Sequence, residues 1–273
     1  MTSDRPIIGF LTDFGLDGAA AICRAVILSI CRDAQVVDIC HTVPKFSVRQ
    51  GAHLLRGALP WFPVGVHLAV VDPGVGTDRR PIALRTARGD VLVGPDNGLL
   101  IPAADALGGD VEIRELRNPD YRLPATSSTF HGRDVFAPAA GHLAVDPAAF
   151  ERLGPTVDSQ TLVRLEGGVA RLSAGRIETE VSYVDSFGNL RLAVAGSSLE
   201  KTLGGSAGAA VRVTLGASFA GTAVVASTFG DVPVGALLVY VDSSGDLALA
   251  ESQGDLARRY GADVGTRILI EAT

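Results

Sequence analysis

The sequence predicts an α/β protein. An N-terminal domain with a mostly parallel sheet covers residues 1–165, and a smaller C-terminal antiparallel β-barrel domain covers 166–273. Three observations carry that prediction. In the first half, short apolar runs alternate with stretches of helical periodicity, the pattern of β–α–β units. One run, Val66, Leu68, Ala69, Val70 and Val71, lacks polar alternation, as a strand covered on both faces requires. Beyond about Pro155 the helical signal fades, and short β-rich runs separated by Gly, Ser and Asp take over.

Taken in order, "PIIGFLTDFG" opens with a short apolar strand that ends at Thr12-Asp13, before a Phe-Gly turn. Ala19 to Cys31 predicts a helix, with Ile22, Ala25, Val26, Ser29 and Ile30 recurring at helical spacing. "QVVDIC" is a second strand. Ser47 and Gln50 fit a capping box, and Val48, Leu55 and Leu59 give the next helix an apolar face ending near Pro60. The apolar strand follows, then "PIALRT", "VLVGPDNG", a helix near Leu99 to Leu107, and "DVEIREL". A further helix follows Gly132-Arg133-Asp134, with Val135, Ala139 and His142 toward one face. "EGGVARLSAGR" reads as a linker or crossing strand. "RIETEVSYVD", "VRVTL", "TAVVAST", "ALLVYVD", "DLALA" and "TRILIEA" are the barrel strands. "YVDSFGNL" at 183–190 and "YVDSSGDL" at 240–247 echo each other. They read either as two similar β-turns or as two polar loops on one rim, lining a ligand site.

The chain has 273 residues, 47% of them hydrophobic, and a mean hydropathy of +0.29, so it is globular rather than disordered. Only Lys45 and Lys201 are lysines, and the net charge of -6 argues against nucleic acid as a partner while suiting a cationic ligand. Cys23, Cys31 and Cys40 have no metal-type spacing and read as small buried residues of a reducing compartment. No signal peptide precedes Pro6, and no apolar run reaches the ~18 residues of a membrane span. A cytoplasmic protein with no membrane partner is expected.

The chemistry concentrates at strand ends. Asp72 stands where the apolar strand stops; Pro73, Gly74 and Gly76 then force a tight loop that Arg79 and Arg80 close. In open α/β sheets ligands bind beyond the carboxyl ends of the strands. Asp13 and Asp96 occupy equivalent places, and any two of these three acids in one cleft would mark a site. Of the histidines, His131 lies in a polar, Gly-flanked turn; His41, His53, His67 and His142 lie in or beside regular elements and read as structural. The competing reading of each acid is a turn former or helix cap, and of the Asp–Arg loop a solvated ion pair.

"TDFG", "VDPGVGTDRR", "GPDNGLL", "FHGRDVFAPAA", "VDSFGNL" and "VDSSGDLALA" occur in that order, and the combination resembles the S-adenosylmethionine hydroxide adenosyltransferases, relatives of the fluorinase and chlorinase enzymes. The resemblance spans residues 7–270. It implies hydrolysis of S-adenosylmethionine at the ribose C5′ by water or hydroxide, giving adenosine and methionine, with no metal and no cofactor. It implies a homotrimer whose sites lie between the N-terminal domain of one subunit and the C-terminal domain of the next. The family's water-handling Asp, Arg and His correspond to Asp72, Arg79 and His131. Arg80 adjoins Arg79, so a one-place offset stays open. By the same resemblance Asp13 takes the ribose hydroxyls, and Phe46 and Phe130 lie near the sugar. Asp185 and Ser243 hold the methionine end, Asn189 reads adenine and Phe229 stacks on it. "GLDGAAA" lacks the aromatic residue that often follows the first motif. Arg191 stands where the fluorinase carries a stacking aromatic, and Ser252-Gln253 replaces an Asn-Ala type pair.

These residue types suit the reaction. A sulfonium leaves as a neutral thioether and needs no acid. Water, with a pKa of ~15.7, is the weak partner. Arg79 can stabilise a developing hydroxide, and Asp72 can anchor Arg79. His131 can accept the proton near its reference pKa of ~6.5, although Asp72 or direct capture of hydroxide serves equally at this level. Val75, Phe130 and Phe136 supply apolar surroundings. The alternatives are halide-dependent adenosyl transfer, a metal-dependent phosphoesterase built on Asp13, Asp72, Asp96 and His131, and a non-catalytic adenosyl-binding module. Against halide use, the stretch from Arg80 to Pro95 leaves no room for the fluorinase's extra loop.

Overall fold

Six strands in the order β2-β1-β3-β5-β4-β6 form the first sheet: β1 (Ile7–Thr12), β2 (Gln35–Cys40), β3 (Val66–Val70), β4 (Pro81–Thr86), β5 (Val91–Pro95) and β6 (Asp110–Glu115). The computed structural model describes residues 5–273 except Gly167, Val169 and Gly205. The chain divides into two compact units, Met1–Leu165 and Glu166–Thr273.

In the first unit β2, β1, β3 and β5 run parallel, and β4 pairs antiparallel with both β5 and β6. The helices α1 (Ala19–Ile30), α2 (Val48–Ala58), α3 (Ile101–Ala106) and α4 (Ala137–Val145) cover both faces. α1 and α4 pack over Ile8, Phe10, Leu68 and Val70; α2 and α3 pack over Leu11, Ala69, Val71 and Leu92. β3 is buried at every position, which is why its sequence lacks alternation.

Two local expectations fail. α1 buries Ala20, Cys23 and Ile27, while Ile22 lies 48% exposed. The helix meets α4 through small residues: a Cβ on Gly141 would sit 3.2 Å from that of Ile30, so the close approach favours the small stripe over the bulky one. Ser47 makes no side-chain cap hydrogen bond, so the capping box does not form. The chain enters α2 through Phe46, whose φ of 66° is a left-handed turn unlike the usual extended entry.

The second unit is a barrel of β8 (Arg176–Val184), β9 (Leu190–Ala195), β10 (Ala210–Leu215), β11 (Phe219–Val225), β12 (Leu237–Val241), β13 (Asp246–Glu251) and β14 (Arg267–Ala272). The pairing of β14 with β8 closes seven strands into a ring, and the short β7 (Arg171–Ser173) adds outside it on β8. Of the stretch 166–176, Gly167 and Val169 lie outside the described residues. Pairing is antiparallel except between β11 and β12, where the long connection through Phe229–Asp231 brings the chain back in the same direction. β9 is a strand the sequence reading omits. Two short helices, α5 (Ser198–Leu203) and α6 (Leu256–Tyr260), complete the unit.

Candidate active site

Asp13, Asp72 and Asp96 follow the carboxyl ends of three neighbouring parallel strands, β1, β3 and β5. The sheet therefore delivers all three to one edge, as the general rule for ligand sites in such sheets anticipates. Two of them share a cleft of about 330 Å³: Asp13 and Asp72 line it with Phe46, Val75, Phe130 and His131. Asp96 is turned aside, with its carboxylate Oδ2 accepting from Arg80 Nε at 2.8 Å and Nη2 at 2.6 Å.

Arg79 is the centre of the arrangement. Its Nε donates to Asp72 Oδ1 at 3.2 Å, its Nη2 donates to Asp72 Oδ2, and the same Nη2 donates to His131 Nδ1 at 3.2 Å. The Asp72 and Arg79 side chains are 5% and 7% exposed, a burial that only a fork-to-carboxylate pair tolerates. The Arg79 guanidinium lies 5.2 Å from the ring centre of the fully buried Phe136. Arg79 Nη1 is buried and has no hydrogen-bond partner among the described residues. The geometry thus assigns Arg79 to the trio, and Arg80 to Asp96.

His131 precedes a single wide helical turn, Gly132–Phe136, that runs into α4. Such turns recur at functional sites because they re-aim the flanking side chains. Gly132 is required there, since a Cβ would fall 2.8 Å from the Phe14 ring. Burial, reinforced by the positive charges of Arg79 and Arg122, lowers the His131 pKa below its usual value against the opposing pull of Asp72 and Asp134. The shift favours the neutral imidazole. Because a guanidinium only donates, Nδ1 must be the acceptor and the imidazole proton resides on Nε2.

Asp13 Oδ2 accepts from the Phe46 N–H at 2.9 Å, which joins the first motif to the segment before α2. Phe130 meets the edge of Phe14 at 5.8 Å. Phe14 and Lys45 line the cleft and were not singled out from sequence, although Phe14 is part of "TDFG". His41, read as structural, supports this corner: its Nδ1 lies 2.8 Å from Thr12 Oγ1 and its carbonyl accepts from Gly15 N at 2.7 Å. His67 is a fully buried partner of Asp90, and His142 stacks edge-on against Tyr121.

The remaining candidates lie in the second unit. Asp185 Oδ1 accepts from the backbone of Phe187 and Asn189, each at 2.9 Å, and its Oδ2 accepts from Asn189 Nδ2 at 2.9 Å. Asp242 Oδ1 repeats the backbone pattern with Ser244 and Asp246, at 2.8 and 3.0 Å. Gly188 and Gly245 close the two turns at φ of 79° and 80°. The echo in the sequence is thus one turn geometry used twice. The turns do not share a rim: β9 pairs with β13 as Leu190 to Leu249 and Ala195 to Asp246, which sets them at opposite ends of that strand pair. Arg191 reaches across the wall, with Nε 2.9 Å from Asp242 Oδ2 and its guanidinium 5.3 Å from the Tyr183 ring. Phe229 is partly exposed and packs on Tyr240 at 5.2 Å; Ser243 lies exposed in the second turn.

Among the described residues no group of three or more His, Cys, Asp and Glu is arranged to hold a metal ion. Among the described residues no helix is long and apolar enough to cross a membrane.

The chain is similar to known proteins along nearly its whole length. Residues 8–154 match the family model described as the SAM hydroxide adenosyltransferase N-terminal domain, and residues 179–269 match that of its C-terminal domain. A relative in Salinispora tropica named (R)-S-adenosyl-L-methionine hydrolase is 46% identical over 271 residues, covering 98% of each chain. A fluorinase of Nocardia brasiliensis is 31% identical, covering 98% of this chain and 97% of its own. The crystal structure of an uncharacterized conserved protein from Thermotoga maritima superposes with a TM-score of 0.89 at 38% identity, covering 96% of this chain and 99% of that one.

Proposed function

The chain belongs to the SAM hydroxide adenosyltransferase family, and from that premise we infer an S-adenosyl-L-methionine hydrolase that releases adenosine and L-methionine. The observation that carries the reading is the meeting of Asp72, Arg79 and His131 beside a cleft that Asp13 also lines.

In the proposed step the water oxygen bonds to C5′ as the C5′–S bond breaks. The bonding pair leaves on sulfur, so a sulfonium becomes neutral methionine thioether. The water proton must go elsewhere. With Nδ1 occupied by Arg79, His131 offers Nε2–H and acts as a donor toward the attacking oxygen. The Arg79 guanidinium beside it adds positive charge. Both stabilise hydroxide character, the preorganised electrostatics that such sites use. Asp72 is the acceptor of the trio; a carboxylate has about four lone-pair positions, of which Arg79 occupies some. We assign it the proton, which passes on to solvent. Meeting of anion and cation destroys charge, and the walls of Val75 and Phe130 favour that by limiting water.

Asp13 is proposed to bind the ribose diol, with Phe46 and Phe130 against the sugar. Asp185 would hold the amino acid end, with Ser243 approaching it from the turn at the other end of the strand pair, and Asn189 and Phe229 the adenine. Asn189 would first have to share its amide with Asp185. The reaction is proposed to need no metal and no cofactor, and the protein is proposed to work in the cytoplasm as a homotrimer with sites completed across subunits. Exposed apolar side chains on the first unit, Leu16, Ile22, Val37 and Phe46, support such an assembly.

The test is incubation with S-adenosylmethionine in heavy-oxygen water, with and without chloride, followed by mass analysis of the nucleoside. Adenosine labelled at the 5′ oxygen supports the reading; a 5′-halogenated nucleoside or no product overturns it. Mixing the Asp72→Ala and Asp185→Ala proteins tests site sharing, because exchange of subunits restores turnover only if one site uses both chains.

A further inference from the structure

The loop from Asp72 to Arg80 carries two members of the trio, yet its interior is loosely tied. Its backbone hydrogen bonds, Val75 to Asp72 and Thr77 to Gly74, are 3.3 and 3.2 Å long, and the Thr77 hydroxyl adds a bond to the Gly74 carbonyl at 2.7 Å. The ends are held more tightly, by two consecutive residues of the "GPDNG" motif. Asn97 Nδ2 donates to the Val71 carbonyl at 2.9 Å, immediately before Asp72. The Asp96 N–H donates to the Arg80 carbonyl at 2.9 Å, immediately after Arg79. The 5% exposed Asp96 also takes the Arg80 guanidinium in its carboxylate and accepts from Val163 N at 2.9 Å. Arg80 continues to the Thr161 carbonyl at 2.6 Å. Asn97 is itself fixed, its Oδ1 accepting from Leu99 N at 3.2 Å.

We propose that Asp96 and Asn97 are positioning residues for the hydrolysis: one turn grips both ends of the Asp72–Arg79 loop and so sets the distance of both side chains from His131. Neither residue lines the cleft. The inference rests on the hydrolase reading for its kinetic consequences but not for its geometric ones. A displacement of about 1 Å at a reacting group can cost on the order of 100-fold in rate. Loss of one anchor should therefore fall on kcat and leave binding alone.

Asn97→Ala, which removes the hold on Val71, and Asp96→Asn, which weakens the carboxylate's hold on the Arg80 guanidinium, are compared with Thr161→Val, which removes only the hydroxyl that accepts from Arg80 Nη1 at 3.0 Å. Expected for the first two is a fall in kcat of about 10- to 100-fold with KM for S-adenosylmethionine changed by less than about threefold. Thr161→Val should lose far less. A second readout is the titration of the His131 ring followed by NMR. The charged groups acting on that ring are Arg79, Asp72, Arg122 and Asp134. With Arg79 displaced, its downward push weakens, and the His131 midpoint should rise toward its ordinary value. Unchanged kcat, or a kcat loss with an unmoved His131 titration, overturns the proposal; the second outcome reduces the pair to a stabilising role. Should wild-type protein release no adenosine, the hydrolase reading fails, and the titration still decides the positioning. If Asp96→Asn does not fold, Asn97→Ala carries the test.

Discussion

Arg79 and Arg80 are adjacent in the chain and answer different carboxylates: Arg79 holds Asp72 and His131, Arg80 holds Asp96. Consecutive residues leaving a loop for a strand point to opposite sides, so one side chain enters the site and its neighbour braces the framework. Arg79→Lys keeps the charge and loses the fork, and should lower kcat by about 10²–10³, as expected for removal of a preorganised donor. Arg80→Lys should cost at least tenfold less. Steady-state kinetics of the pair decides it; equal losses would remove the distinction.

The pH dependence follows from His131. Its pKa lies below the ordinary ~6.5, so the neutral ring that accepts from Arg79 persists to lower pH than a free imidazole would allow. The acid limb of kcat/KM should therefore fall below about pH 6.5. For stability the sign is the same: a depressed folded value contributes stability that is present above ~6.5 and lost as pH falls through the folded pKa. His131→Gln retains a donor without a titrating ring. It should keep more activity than His131→Ala and lose this limb, as read from rate profiles between about pH 5 and 8.

Gly76 combines a φ of 80° with a close approach, since a Cβ there would lie 2.7 Å from the Ser128 carbonyl oxygen. That contact seats the Asp72–Arg79 loop against the segment leading to His131. Gly76→Ala should destabilise the protein by about 1–3 kcal/mol and lower kcat together. Urea unfolding and turnover measured on the same preparation check it, and a fully stable, fully active variant would show that the loop tolerates the shift.

Asp13 is accessible in the cleft and anchored by the Phe46 N–H. Asp13→Ala should raise KM by about 10- to 100-fold, the scale of a charge-assisted hydrogen bond, with kcat nearly retained. A 2′-deoxyribose analogue of the substrate should show the same penalty with wild-type protein and little more with the variant. Additive penalties would place the carboxylate away from the sugar.

Much of the site was legible because its signals are local. An uninterrupted apolar strand followed by Pro73, Gly74 and Gly76 announces a strand end and a tight loop, and both exist. Arg79 was favoured over Arg80 only through the resemblance, since neighbouring identical residues differ only in the direction their side chains take. Nor was the grip of Asp96 and Asn97, which depends on the tertiary adjacency of β3 and β5. The buried face of α1 was misread because composition favours bulky residues while the close approach to α4 selects small ones. The capping-box reading at Ser47 assumed an extended entry to α2, and the turn at Phe46 prevents it. β9 was passed over although it alternates, with Leu190, Leu192 and Val194 buried and Arg191 and Ala193 facing outward, because it follows the polar turn at Asp185–Asn189 without a break.

The duplicated turn of the barrel has an evolutionary and an engineering consequence. Since Asp185 and Asp242 build the same bend from their own carboxylates, the bend places no demand on what its tip displays. Phe187, 75% exposed, and Ser244, beside Arg191, are accordingly free lettering on a common frame. Exchanging residues 186–188 with 243–245 should leave both hairpins intact, and any altered turnover in that chimera would be the property of two side chains rather than of the backbone beneath them.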